Sequence, residues 1–322
     1  MKKFRVSARN SDWQVIRLQN KEEKSKYTTL ERIRRNKISY LYVAPYMTLF
    51  FVFTVLPVVI SVFFSFTSFN VLEAPKFIGL SNYTRLFFKD SVFVTGLKNT
   101  IVFAAILGPG GYILSLLSAW FINELTPKVR SFVTLIFYAP SISGNAYLIW
   151  SIAFSGDDYG YVNSLLTKFG LITEPIQFFT NTKYIVPVII IISLWTSLGT
   201  GFLSMIAAFQ GIDKSYYEAG ALDGIKNRWQ ELWYITMPMM KPQMMFSAVM
   251  SITGSFEIGA MITALCGYPT TDYCAHTVMN HLTDYGTTRF EMGYASAIAV
   301  VLFFLMVGSN MLAKKFLATV GE

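Results

Sequence analysis

The chain has 322 residues, 53% of them hydrophobic and only 14% charged, with a mean hydropathy of +0.44. A soluble domain carries about 25% charged residues. Here the apolar excess is gathered into uncharged stretches at Leu41 to Asn70, Asn99 to Asn123, Ser131 to Gly156, Tyr184 to Ile212 and Met292 to Ala313, and into Pro242 to Thr271, whose single charge is Glu257. Each exceeds the roughly 20 residues a helix needs to cross about 30 Å of hydrocarbon. A soluble enzyme, a nucleic-acid-binding domain and a disordered chain are thereby excluded, and the pattern predicts an all-α, polytopic membrane protein with six transmembrane helices.

In chain order, residues 1–37 form a polar tail with a short surface helix expected over Thr29 to Lys37. Span one is expected over 39–69, bent at Pro45 and Pro57. A polar segment, 70–97, precedes span two at 98–122, which Gly108-Pro109-Gly110-Gly111 interrupts as a kink or a point of close helix approach. The short turn Asn123 to Arg130 makes spans two and three, 131–154, an antiparallel pair. Spans four, five and six follow at 184–208, 242–265 and 291–316. The expected organisation is a basic tail, 1–37, and a transmembrane domain, 38–318, that contains the loop 209–241.

Charge sets the expected orientation. The net charge is +8, and twelve of the 27 Lys and Arg residues precede span one, against four acids. Counted by loop, twenty basic residues fall on one side of the six spans and seven on the other. The positive-inside rule then places both termini in the cytoplasm, and the tail is read as a topology and lipid-attraction signal rather than a nucleic-acid site. The first apolar run is far longer than the roughly 7–15 residues of a signal-peptide core, so it is expected to remain as an anchor.

Catalytic chemistry is missing from the pattern. There is no G-x-x-x-x-G-K-[ST] loop for nucleotide phosphates. The two histidines, His276 and His281, are expected to be solvated in the outer loop before span six, with no Ser/His/Asp or Cys/His arrangement. Cys266 and Cys274 share that loop; a disulfide there is open from the sequence, and metal-ligand spacing is absent. No cofactor or metal is expected. Glu257, the one acid deep in a span, must face the bundle interior or a polar cavity. It reads either as an acceptor for substrate hydroxyls or as an acid that is paired internally or reaches the outer interface. Asn145 reads either as a second substrate contact or as a hydrogen-bonding link between helices.

The longest inner loop carries the most informative residues. Ser215-Tyr216-Tyr217-Glu218 has the spacing of a capping box, and Gly224 suits a left-handed helix end. Trp229, Leu232, Trp233 and Ile235 follow at helical spacing, and Pro238 and Pro242 mark the return to the membrane. Glu218-Ala219-Gly220-Ala221-Leu222-Asp223-Gly224, continuing through Trp229, Ile235 and Pro238, resembles the EAA loop of binding-protein-dependent ABC importer permeases. Gly220 stands where a second alanine is usual, and the interval from Gly224 to Ile235 is one residue longer than the common pattern. Phe77-x-Gly79-Leu80-x-Asn82-Tyr83 with Asn99-Thr100, and the run Gly293 to Leu302, are similar to stretches of carbohydrate-uptake permeases, in particular the first, maltose-type subunit.

The resemblance implies a type I ABC importer permease fold and a bacterial cytoplasmic membrane location. It also implies a carbohydrate substrate, an oligosaccharide, delivered by an extracytoplasmic solute-binding protein. A second homologous permease and two ATP-binding subunits, which hydrolyse the ATP, would complete the complex. The coupling residues it marks are Glu218, Ala219, Gly220, Asp223, Gly224, Trp229, Ile235 and Pro238. Competing readings are an ABC permease for a phosphorylated polyol or a peptide, and an ion-coupled carrier or channel. A phosphate cargo would call for a basic residue in the spans, and none is there.

Overall fold

The computed structural model describes residues 37–318; the expected tail helix at Thr29 to Lys37 lies essentially outside them. The described residues fall into two compact units, one ending at Ile60 and one beginning at Ser61. The first holds most of helix α1, Lys37–Phe64, which passes through a π-helical turn at Phe51–Val55 between its two prolines. Most of its side chains are apolar and exposed.

The second unit opens with a clasp. Strands β1 (Thr67–Ser68) and β2 (Lys76–Phe77) pair antiparallel, Thr67 opposite Phe77. Helix α2, Ser81–Phe88, then presents Asn82, whose buried amide donates to the Ser65 and Thr67 carbonyls at 2.9 Å each. Tyr83 donates to Ser65 Oγ at 2.8 Å. The Phe77-to-Tyr83 motif is therefore a fastener for the chain leaving α1.

Helix α3, Ser91–Asn123, is the axis of the unit. Asp90 caps it by accepting from Phe93 N–H at 2.9 Å, so the helix begins seven residues before the expected start of span two. It also runs unbroken through Gly108-Pro109-Gly110-Gly111. The glycines serve close approach: a Cβ on Gly111 would meet Ser197 Oγ at 3.1 Å, and one on Gly110 would meet Leu194 Cδ2 at 3.0 Å.

The next three spans are not single rods. Helix α4 (Pro127–Ile142) meets α5 (Ala146–Ala153) at 91°. After the short helix α6, Tyr161–Lys168, α7 (Thr182–Thr196) meets α8 (Thr200–Gly211) at 43°. Two loop helices follow, α9 (Lys214–Leu222) and α10 (Arg228–Glu231). Then α11 (Lys241–Phe256) meets α12 (Gly259–Cys266) at 42°. Helix α13 (Val278–Thr283) leads to α14 (Met292–Ala318), a second straight rod of spanning length in this unit.

Expected spans three, four and five are thus broken helices. Backbone freed inside a membrane is tolerated where protein or a polar cavity satisfies it. The interior is apolar on either side of the breaks. One cluster gathers Phe103, Ile185, Ile189, Ile192 and Ile262; another gathers Trp120, Phe202, Met205 and Leu232. Helix α3 packs on α7, α8 and α11.

Candidate functional site

The three breaks converge on one cavity of about 270 Å³. Gly144 lines it from the first break, Ser197 from the second, and Glu257 with Ile258 from the third. Hydroxyls dominate the polar part: Ser141, Ser193, Thr196, Ser197, Ser251 and Ser255. Ser193 is 6% exposed, and its Oγ has no hydrogen-bond partner among the described residues. Among the described residues, Glu257 is the sole acid on the wall and no Lys or Arg joins it.

Sequence reasoning placed Glu257 inside a continuous span. The structure places it instead at the C-terminal cap of α11, exposed at the junction with α12. Asn145 sits at the sharpest break, also exposed, and its Oδ1 accepts from Tyr147 at 3.1 Å. Gly144 and Tyr147, either side of it, line the cavity. The hydrogen bond recorded for the Asn145 side chain is local and ties no second span.

The loop segment forms a second constellation. The capping-box expectation is corrected here. Asp213, not Ser215, is the N-cap of α9, accepting from Ser215 N–H at 3.0 Å. Those bonds from the Ser215 backbone and hydroxyl hold the Asp213 carboxyl below the usual range. Glu218 lies one turn into the helix with an exposed side chain. It sits too far along to reach back to the cap.

The other end of α9 is as expected. Ile225 N–H reaches the Gly220 carbonyl at 3.0 Å and Gly224 N–H reaches the Ala221 carbonyl at 3.4 Å. With Asp223 as C-cap and Gly224 at φ +96°, this is the Schellman pattern. Gly220 is buried, and a Cβ there would stand 2.6 Å from Ile235 Cδ1 and 3.0 Å from Ile225 Cδ1. Glycine lets Ile235 lie on α9 as it stands; an alanine there would require the tips of Ile235 and Ile225 to shift.

The extra residue between Gly224 and Ile235 also finds its place. Leu232–Thr236 is a π turn, continued by Met237–Met239, which includes Pro238. A π turn closes i to i+5 and so holds one residue more than an α turn. Ala219, Asp223 and Trp229 are exposed, Ile235 and Pro238 half-buried.

Two contacts tie the loop to the foot of α3. Trp229 meets Trp120 edge-on, centroids 4.6 Å apart. Arg228 bridges Glu124 and Glu231 at 2.7 Å each. Tyr217 and Thr236 hydroxyls, 3.0 Å apart, link α9 to the π turn. Between these elements lies a cavity of about 570 Å³ where Arg130, Lys214 and Arg228 face Glu124, Glu218 and Glu231.

The expected solvated histidines are a further correction. His276 and His281 are 0% and 2% exposed. Asp90 Oδ2 accepts from Tyr294 O–H at 2.8 Å and from His281 Nε2 at 3.1 Å. This fixes the proton of His281 on Nε2, so its Nδ1 accepts from His276 Nε2, also at 3.1 Å. Burial, with His281 beside it, pushes the His276 imidazole down to about 4. Burial likewise lowers His281 against the pull of Asp90. Burial raises the Asp90 carboxyl, but its bonds from Phe93, Tyr294 and His281 win and hold it low. This chain of groups fastens α3, α13 and α14 together. Asn99 adds to the fastening through the Tyr273 and His276 carbonyls, at 3.0 and 2.9 Å. Asn99-Thr100, and Tyr294 in the run Gly293 to Leu302, lay in stretches that carry the resemblance, but nothing in the sequence joined them to the histidines.

Cys266 and Cys274 are free thiols, half-buried. No group of three or more metal-ligating side chains occurs among the described residues.

Residues 111–317 match the family of binding-protein-dependent transport system inner membrane components. The chain belongs to this family. It is 31% identical over 281 residues to the probable ABC transporter permease protein YesP of Bacillus subtilis, covering 85% of this chain and 88% of that one. It is 28% identical to AraP of the same organism, an arabinooligosaccharides transport system permease protein, over 86% and 87% of the two chains. A third relative, the lactose transport system permease protein LacF of Rhizobium radiobacter, is 34% identical over 68% and 72%. Among solved structures, a bacterial ABC transporter involved in import of the acidic polysaccharide alginate superposes with a TM-score of 0.71 at 25% identity, over 89% of this chain and 98% of that one. The fold is that of an ABC importer permease, and the chain is a multi-pass membrane protein. Permeases of this family are not themselves catalytic.

Proposed function

We propose that the chain is the permease subunit of an ATP-driven importer that carries an oligosaccharide handed over by an extracytoplasmic binding protein. The observation that carries this reading is the convergence of three broken spans on a hydroxyl-lined cavity, in a chain whose relatives AraP and LacF are named for oligosaccharide and lactose transport. Both termini lie in the cytoplasm, with 1–37 as the basic tail and 38–318 as the transmembrane domain. A second homologous permease and two ATP-binding subunits complete the complex, and hydrolysis occurs on the latter.

In this reading the α9–α10 segment is the coupling element. Glu218, Ala219, Asp223 and Trp229 offer exposed surface to the ATPase, while Gly220, Gly224, Ile235 and Pro238 set its shape. A push on the segment reaches α3 through Trp229–Trp120 and Arg228–Glu124. Helix α3 carries Leu107 on the cavity wall and packs on α11. Differential contacts at the loop thereby bias the two states of the cavity, as a two-state switch requires. Glu257 and Asn145 are the substrate contacts.

The test is reconstitution. The chain, purified with its partners in proteoliposomes, is expected to accumulate an oligosaccharide only with ATP and binding protein present. Accumulation driven by an ion gradient without ATP would overturn the reading.

A further inference from the structure

Four hydroxyls on the cavity wall spend their protons on their own helices. Ser141 donates to the Tyr138 carbonyl at 2.8 Å, Ser197 to Leu194 at 2.7 Å and Ser255 to Ile252 at 2.6 Å. Thr196 donates to the Ile192 and Ser193 carbonyls at 3.2 and 3.1 Å. What these side chains have left to offer is lone pairs. Glu257 adds a carboxylate, which when ionised can only accept.

The helix ends do not supply a cation to balance Glu257. Each break presents a C-terminus and an N-terminus together, Ile258 on the wall being the N-cap of α12, so their partial charges offset one another. Glu257 is left as the one full charge on the wall among the described residues, with no Lys or Arg beside it.

We propose that this cavity is selective for saccharides without acidic groups, with Glu257 as the residue that sets the selectivity. The inference rests on the proposed function and names its substrate class. An uncharged sugar can donate its hydroxyls to Glu257 and to the four back-bonded hydroxyls, while Ser193 Oγ has a proton free to donate in return. A uronate, sulfate or phosphate brings negative charge to Glu257 with no cation on the wall to offset it. Unpaired buried polar groups of this kind are what make a site reject an analogue. The chain therefore differs in cargo from the alginate importer whose fold it shares.

Equilibrium binding to the assembled permease–ATPase complex, without binding protein, reads the cavity directly. The probes are tritiated trisaccharides of the gluco, galacto and manno series, each paired with its matching uronate trisaccharide. The best neutral probe is expected to bind about tenfold or more tightly than the best uronate, a step like that of one strong charge discrimination. Glu257→Gln is expected to shrink that ratio to about threefold or less, and Ser251→Lys to reverse it; Ser251→Asp should widen it. Each variant is first checked for co-purification with its partners. Equal or tighter uronate binding by the wild-type complex overturns the inference and leaves sugar import standing. An unchanged ratio in Glu257→Gln, in a complex that co-purifies normally, also overturns it. Binding of no probe overturns the functional reading itself.

Discussion

Gly224 is the turn between α9 and α10, held at φ +96° by two backbone hydrogen bonds. Nothing lies within 4 Å of where a Cβ would stand, so a substitution here acts through the backbone alone. Two such bonds contribute roughly 0.5–1.5 kcal/mol each. A non-glycine residue in the left-handed region costs about 1–2 kcal/mol, and a β-branched one more, toward about 3 kcal/mol. Gly224→Ala should therefore leave the turn mostly formed, and Gly224→Asn better still, since asparagine tolerates this region. Gly224→Val should tip the balance against the turn. The measurements are co-purification with the ATPase subunits and sugar-stimulated ATP hydrolysis in proteoliposomes. The expected order of coupled activity is wild type, Asn, Ala, Val, with Val losing about tenfold or more. Val matching Asn in both assays would refute the argument that this turn transmits the ATPase stroke.

Asp213→Ala should destabilise α9 by about 0.5–2 kcal/mol through loss of its cap, while Ser215→Ala stays within about half a kcal/mol; hydrogen exchange across residues 214–222 separates them. The buried histidines give a pH prediction. His276 is depressed to about 4, so stability is full above the unfolded value near 6.5 and is lost as pH falls toward 4, by about 2 kcal/mol at pH 5. The melting temperature of the purified complex should drop between pH 7.5 and 5, less so in His276→Gln; equal slopes would count against the buried-neutral assignment. Single cysteines at Thr173 and Leu222, on a Cys266→Ser/Cys274→Ser background, should react with an impermeant maleimide from outside and only after lysis, respectively. The opposite labelling would invert the topology.

The sequence made the membrane class and the loop's glycine hinge plain, because uncharged length and a left-handed glycine are local signals. It hid what depends on packing. A hydrophobic count runs straight through 143–145, 197–199 and 257–258, since most residues there are small or apolar and a single polar one, Asn145 or Glu257, does not end an apolar run. Glu257 was visible as an odd charge, but its position at a helix junction was not. Ser215 and Glu218 have the right spacing for a cap, yet Asp213, two residues earlier, is the stronger acceptor and took the helix start. The histidine cluster was unreadable because Asp90 lies far from His281 in sequence, and only the fold brings α3, α13 and α14 to one point.

The broken spans also bear on how such a chain can change cargo over evolutionary time. Where helices simply end, the backbone itself supplies part of the polar wall, and that contribution survives almost any change of side chain. Scaffold and selectivity are then encoded by different residues. The fold can be kept at 25% identity to a transporter involved in import of an acidic polysaccharide, while, on the selectivity proposed above, a few exchanges among Ser251, Ser255 and Glu257 would re-tune what the cavity accepts. A lineage equipped this way can try new sugars one substitution at a time, without first rebuilding the membrane core around them.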